Sequence, residues 1–273
     1  MALILKTVPA ARGARWIADA LRVFARKPMA FTSMFAVFLF GAMLVSLVPL
    51  LGGLVQMMSL PLLSLGFMVA AQSALLNGPV TPRQFVEPLR GDPTKRKALI
   101  QLCVLYGLAA LLVLLVADAI SGHAWGRLQT LIAKGSPEQA EIDALLSEPG
   151  VGTGAGLALL LGSALSVPFW HAPALVHWGG QTVAQSLFSS SLALWRCKAA
   201  FTVYFAAWAG LLLIFGLVSV LLLSLLGLAQ WVGVLGVPAG LVFSAVFYIS
   251  LLFTFNDSFG GTPQGTEGGV PGA

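Results

Sequence analysis

The sequence predicts an all-α fold: a polytopic membrane bundle of six transmembrane helices with amphipathic interfacial helices, laid out as three hairpin units. Three observations carry this. Of 273 residues, 58% are of hydrophobic types and only 9% are charged, where a soluble domain has about 25% charged residues to cover its surface. The apolar residues gather into six runs, each near the roughly 20 residues a helix needs to cross the hydrocarbon core. The basic residues are shared unequally between alternate connections of those runs, as the positive-inside rule requires. The same composition excludes disordered and short-period fibrous classes.

The elements follow in chain order. Residues 12–27 read as a basic amphipathic helix. Arg12, Arg15, Asp19, Arg22 and Arg26 recur at alternating spacings of three and four, which is one stripe. Trp16, Ile17, Ala20, Leu21, Val23 and Phe24 fill the opposite arc. Such a helix is expected to lie at headgroup level, with Trp16 at the interface and the arginines toward anionic lipid. The spans are expected at about 29–50, 54–76, 98–120, 153–176, 199–226 and 232–255. None has a charge at its middle, where one would cost at least about 2.5–3.5 kcal/mol. The first run is too long for a signal-peptide core and no A-x-A site follows, so it is expected to be retained. Leu51-Gly52-Gly53 predicts a tight hairpin between the first two spans, because one straight helix of both runs would far exceed a bilayer.

Between the third and fourth spans, residues 121–152 read as a helical loop. Trp125, Leu128 and Ile132 suggest a first short helix. Ser136 and Gln139 form a capping box with Pro137 at the first helical position, followed by Ile142, Leu145 and Leu146 on one face. Gly150-x-Gly152-x-x-Ala155 follows no strand and opens a span, so it reads as a flexible lead-in, not a dinucleotide fingerprint. Gly152 and Gly156, and likewise Gly236 and Gly240, are expected to be close-packing positions between helices. Residues 1–258 form one transmembrane domain on this reading, and 259–273, rich in Gly, Pro and Thr, a disordered tail.

Thirteen Lys and Arg fall in the N-terminal segment and in loops 77–97 and 179–198, against two in loop 121–152. This predicts a multi-pass membrane protein with both termini in the cytoplasm and loop 121–152 on the opposite side. An internal repeat supports the hairpin layout. Residues 26–36 and 196–206 agree at six of eleven positions with a constant offset of 170. Each copy follows an amphipathic stretch. In the second, Val183, Leu187, Phe188, Leu194 and Trp195 oppose Thr182, Ser186, Ser189 and Ser190. A third stretch opens with a capping box at Thr81-Pro82-Arg83-Gln84 and leads into the third span. The predicted unit is therefore an interfacial helix followed by two spans, in a parallel arrangement.

Catalytic motifs are absent from the sequence: no Walker A, H-E-x-x-H, G-x-S-x-G or C-x-x-C occurs. Cys103 and Cys197 lie in unlike contexts and are expected to be unbridged. His171 and His177 are six apart, about 120° around a helix, and would not share a metal. The segment 167–180 is the chief candidate site. Pro168 and Pro173 each deprive an upstream carbonyl of its amide partner, and Trp170, His171, His177 and Trp178 cluster around them. The structural reading is a kinked helix with an aromatic belt; the functional one is a broken helix lining a site. His171 is expected to point into the bundle and help satisfy the freed groups, or to contact a bound molecule. His177 is expected at the headgroup region beside Trp178. Arg12, Arg15, Arg22, Arg26 and Arg196 are candidate lipid headgroup contacts. Asp118 and Asp257 read as interfacial.

Several of these segments together resemble a known family. Pro9-Ala-x-x-Gly13-x-x-Trp16-Ile17, residues 169–178, Ser186-Leu-Phe188, Ala193-x-Trp195-Arg196, Ala200-Phe201-Thr202-x-Tyr204 and Phe253-Thr-Phe-x-Asp257 resemble an uncharacterised family of bacterial six-span inner-membrane proteins known only by a locus-tag name. The resemblance covers most of the chain and is densest at 168–204. Cys197 departs from the Asn expected there. The resemblance implies a membrane location and brings no activity, ligand or catalytic residue. The layout is also similar to the membrane domain of some glycerophosphodiester phosphodiesterases, a likeness that transfers no active site. The expected function is a non-enzymatic membrane protein that binds lipid of the anionic cytoplasmic leaflet, a partner protein or a second copy. No cofactor, metal or nucleic acid is expected. The alternatives are a small-molecule transporter or channel with its site at the broken fourth span, and an intramembrane enzyme, for which no paired acid and base stands at membrane depth.

Overall fold

The computed structural model describes residues 4–48, 51–133, 135 and 139–260. The regular elements over them are all helices: α1 (Arg12–Arg26), α2 (Pro28–Ser46), α3 (Leu51–Leu75), α4 (Pro93–Ile120), α5 (Ala124–Ala133), α6 (Gln139–Leu146), α7 (Pro149–Phe169), α8 (Ala172–Gly179), α9 (Val183–Arg196), α10 (Lys198–Leu225) and α11 (Val232–Phe259), with short 3-10 turns between some of them. Six segments are long and apolar enough to cross a membrane: α2, α3, α4, α7 with α8, α10 and α11. Both described ends of the chain meet at one end of the bundle, where the Lys6 amide donates to the Ser258 carbonyl at 2.8 Å. The helices α5 and α6 lie at the other end.

Local chemistry sets the boundaries. α4 starts ahead of its apolar run because the Asp92 carboxylate accepts from the Thr94 amide at 2.8 Å and Pro93 occupies the first helical position. The turn between α2 and α3 comes earlier than Leu51-Gly52-Gly53, which instead form the first turn of α3. Gly52 is needed there: a Cβ would lie 2.3 Å from the Val45 carbonyl oxygen of α2. α7 begins at Pro149, so Gly150 and Gly152 are helical and not a lead-in. The proposed Ser136 cap, Leu50 at the end of the first run and residues 261–273 of the tail lie outside the described residues.

The glycine faces correct an expectation. Cβ atoms at Gly152, Gly156, Gly236 and Gly240 would meet nothing within 4 Å. Close approach occurs instead at Gly150 and Gly154, whose Cβ atoms would come within 2.9 Å of the Ser121 and 2.8 Å of the Ala117 carbonyl oxygens. Residues two apart on a helix point to nearly opposite sides. A run of alternate glycines offers two small-residue faces, and the rotation of α7 uses the other one.

The amphipathic elements join the spans into a ring. α1 packs on α10 and α11, α9 packs on α7 and α8, and the 3-10 turn Pro82–Phe85 packs on α3. Each docking element thus sits on the preceding hairpin, and the first closes onto the last. The two similar segments occupy equivalent junctions: α1 passes into α2 through Lys27 alone and α9 into α10 through Cys197 alone. The third element departs from the expected helix. The Thr81–Gln84 capping box forms, but it closes two 3-10 turns, Pro82–Phe85 and Glu87–Leu89, because Pro88 cannot supply the amide that a continuing helix needs.

α1 is docked into the bundle, and Trp16 does not stand at an exposed interface as expected. Gly13, Trp16, Ile17, Ala20 and Val23 are buried against the bundle, and Trp16 is 0% exposed. Gly13 permits this approach, since a Cβ would come 2.1 Å from the Ala200 carbonyl oxygen of α10. α1 fills the gap between α10 and α11 at the end of the bundle where the chain termini lie. Beyond it, long side chains bridge the pair: Trp208 and Phe215 meet Phe243 with ring centroids at 6.4 and 5.0 Å, and the Tyr204 hydroxyl bonds Ser250 Oγ at 2.7 Å.

Candidate functional site

The fourth span is broken where the two prolines fall. α7 ends at Phe169, α8 starts at Ala172, and Trp170 and His171 form the bend. A break in lipid leaves backbone groups that need partners. Ser190 of α9 supplies them: its hydroxyl accepts from the His171 amide at 3.0 Å and donates to the Val167 carbonyl at 3.0 Å. This is possible because α9 turns its serine face inward. Ser186 and Ser190 are buried, whereas Phe188 and Trp195 are 69% and 71% exposed.

His171 points into the bundle and is 0% exposed, but it does not satisfy the freed groups. Its ring packs on the edges of Phe201, Phe255 and Phe259, with centroids at 6.1, 5.8 and 5.5 Å. Neither ring nitrogen has a hydrogen-bond partner among the described residues. Trp170 lies between Phe205 and Phe247 and donates from Nε1 to Thr254 Oγ1 at 3.3 Å. His177 and Trp178 lie at the other end of α8, where the Trp178 ring packs on Phe255 at 5.3 Å and so joins the same aromatic cluster. The His177 and Trp178 rings meet at 5.5 Å, and Lys95 Nζ caps the helix by donating to the His177 carbonyl at 2.9 Å. Pro168 and Pro173 define the break, and no titratable pair forms across it.

The arginine stripe divides in two. Asp257 Oδ2 accepts from Arg12 Nε and from Trp16 Nε1, both at 2.7 Å. The Asp257 carboxylate, hydrogen-bonded to the guanidinium and aided by Asp19, pushes Arg12 above its ordinary pKa. Arg12 and Asp257 are therefore a structural ion pair and not free headgroup contacts. Arg22 pairs with Asp19 at 2.5 Å. Arg15, Arg26 and Arg196 are exposed and form no ion pair among the described residues.

Two spaces adjoin these groups. One is a crevice of about 500 Å3 between α2, α10 and α11, lined by Phe35, Phe205, Trp208, Leu212, Gly240 and Phe243 among others. The other is a cavity of about 120 Å3 between α3, α4, α7 and α11, beside the broken span. Sequence reasoning found the prolines and Trp170 but missed Ser190, Asp257 as the partner of Trp16, and both spaces. The run Ser189-Ser190-Ser191 was the one available signal for Ser190.

No protein-family profile and no solved structure matches the chain. A probable inner membrane protein of Burkholderia thailandensis is 32% identical over 256 residues, covering 93% of both chains. At that identity, over nearly the whole of both proteins, the chain belongs to the same family, and it is a multi-pass protein of the inner membrane.

Proposed function

We propose that the protein is a non-enzymatic lipid-binding protein, oriented with both termini in the cytoplasm. It holds an anionic phospholipid of the cytoplasmic leaflet, with the headgroup against the exposed arginines of α1 and an acyl chain in the crevice between α10 and α11. The crevice is the observation that carries this reading. Its volume of about 500 Å3 falls in the range of ligand pockets, about 300–1,000 Å3. Its walls are almost wholly apolar, and Phe205, Leu212 and Gly240 are exposed, so it opens sideways. The unpaired Arg15 and Arg26 lie on α1, which packs on the same two helices, α10 and α11. A basic side chain near an anionic surface contributes about 1 kcal/mol.

The test is native mass spectrometry of protein extracted in mild detergent. The wild type is expected to retain a phosphatidylglycerol-class lipid. Gly240→Phe fills the crevice without a clash, since nothing stands within 4 Å of that Cβ, and it should lose the lipid while keeping its melting temperature. Arg15→Gln with Arg26→Gln should lower the preference for anionic over zwitterionic lipid. Equal retention by wild type and Gly240→Phe would remove the reading.

A further inference from the structure

The second cavity differs in kind from the crevice. Four hydroxyl side chains reach it from four helices: Ser64 of α3, Tyr106 of α4, Ser166 of α7 and Tyr248 of α11. It lies beside the α7–α8 break and beside Pro61, which sits inside the continuous helix α3. No charged group lines it. The serines have already donated, Ser64 Oγ to the Pro61 carbonyl at 2.8 Å and Ser166 Oγ to the Ser163 carbonyl at 2.7 Å. The phenols have not: neither the Tyr106 nor the Tyr248 hydroxyl has a hydrogen-bond partner among the described residues. The cavity therefore offers two O–H donors, from α4 and α11, which each pack on α3. The remaining surface is largely aromatic, from Phe169, Trp170 and Phe247, and most lining residues are half-buried, so the space is not sealed from the bilayer.

These features select a ligand class. Absence of charge disfavours ions and zwitterions, which would be desolvated with no countercharge. Two donors facing an aromatic slot suit a flat neutral molecule with acceptors on opposite edges. The volume of about 120 Å3 is on the scale of one six-membered ring, since an engineered cavity of about 150 Å3 takes benzene. We propose that this cavity binds the ring of a membrane-dissolved quinone, with Tyr106 and Tyr248 donating to its two carbonyl oxygens, Trp170 against the ring, and the tail leaving between helices into the bilayer. This is a binding site only; no electron transfer is assigned to it.

The test uses the full chain in nanodiscs with a short-chain ubiquinone analogue as probe, read by quenching of tryptophan emission. The control is the Trp170→Phe variant, which should lose the saturable part of the quenching. Tyr106→Phe and Tyr248→Phe keep the rings and their packing, and each should weaken binding about fivefold, the value of one ordinary hydrogen bond. Melting temperatures of these variants show whether the fold is intact. A quinol analogue and glycerol serve as competitors. Competition by the quinol and none by glycerol is expected; saturable displacement by glycerol would reassign the site to small polyols and overturn the proposal. Quenching that is non-saturable, or equal in wild type and the Tyr106→Phe/Tyr248→Phe double variant, means simple partition into lipid and also overturns it.

Discussion

At Ser190 and Asp257, single side chains hold together segments that the sequence keeps far apart. Ser190 satisfies two backbone groups of the broken span at once. Leaving a buried donor or acceptor unmet costs about 1–3 kcal/mol. Ser190→Ala is thus expected to lower the melting temperature in detergent clearly, while Ser189→Ala leaves it unchanged. Asp257→Leu strands the Trp16 indole N–H and the Arg12 guanidinium together. It should destabilise more than Asp257→Asn, which keeps an acceptor oxygen for the indole. His171 presents the opposite case. Its two ring nitrogens are buried among phenylalanines without partners, so His171→Phe removes two unpaired polar atoms and should raise the melting temperature. A fall would mean that something bonds those nitrogens in the membrane.

Helices differ in how far their roles could be read. The existence of the spans was legible, because apolar run length alone reports it and nothing else in a chain of this kind imitates it. The break at Pro168 and Pro173 was legible because a missing amide acts within its own helix. The facing of each helix was not. In water an apolar stripe marks the inward side, but lipid is as apolar as a core, so Phe188 and Trp195 could point outward while Ser186 and Ser190 point in. α1 misled for the same reason: its apolar arc suits a membrane surface as well as the cleft between α10 and α11. Glycine faces offer the sharpest check. Gly154→Leu should disrupt the contact of α7 with α4 and reduce the yield of folded protein, whereas Gly156→Leu should be tolerated, since only the first meets a neighbouring backbone. Gly13→Val should dislodge α1, seen as faster tryptic cleavage at Arg12, Arg15 and Arg22.

Across the whole molecule, charge asymmetry and ring closure describe different things. The thirteen basic residues outside loop 121–152 predict orientation. Reporter fusions at residues 90, 190 and 265 should read cytoplasmic, and one near 140 periplasmic; a periplasmic signal at 190 would break the six-span assignment. Several of those residues also have local work. Lys27 donates to the Gly78 carbonyl at 2.5 Å and Lys95 to that of His177, so a charge count reads them only as an address. The repeat at 26–36 and 196–206 marked two equivalent junctions, α1 to α2 and α9 to α10, but the docking of α1 onto the last two spans was not legible, since no short-range pattern records contacts between residues more than 240 positions apart, such as Trp16 and Asp257.

That closure has a consequence for how the protein is made. α1 leaves the ribosome before any of the six spans, and its seat on the fifth and sixth of them follows much later. At bacterial elongation rates of about 5–20 residues per second, α1 waits on the order of ten seconds or more before its partners exist. During that interval its apolar face has nowhere to go but the membrane surface, where an amphipathic basic helix rests comfortably. The surface-lying conformation suggested by its sequence is then the newborn state of α1, and the wedge is its mature one. Docking of α1 must wait for α11, and a nascent chain stalled before residue 230 should leave α1 open to protease, while release of the full chain protects it.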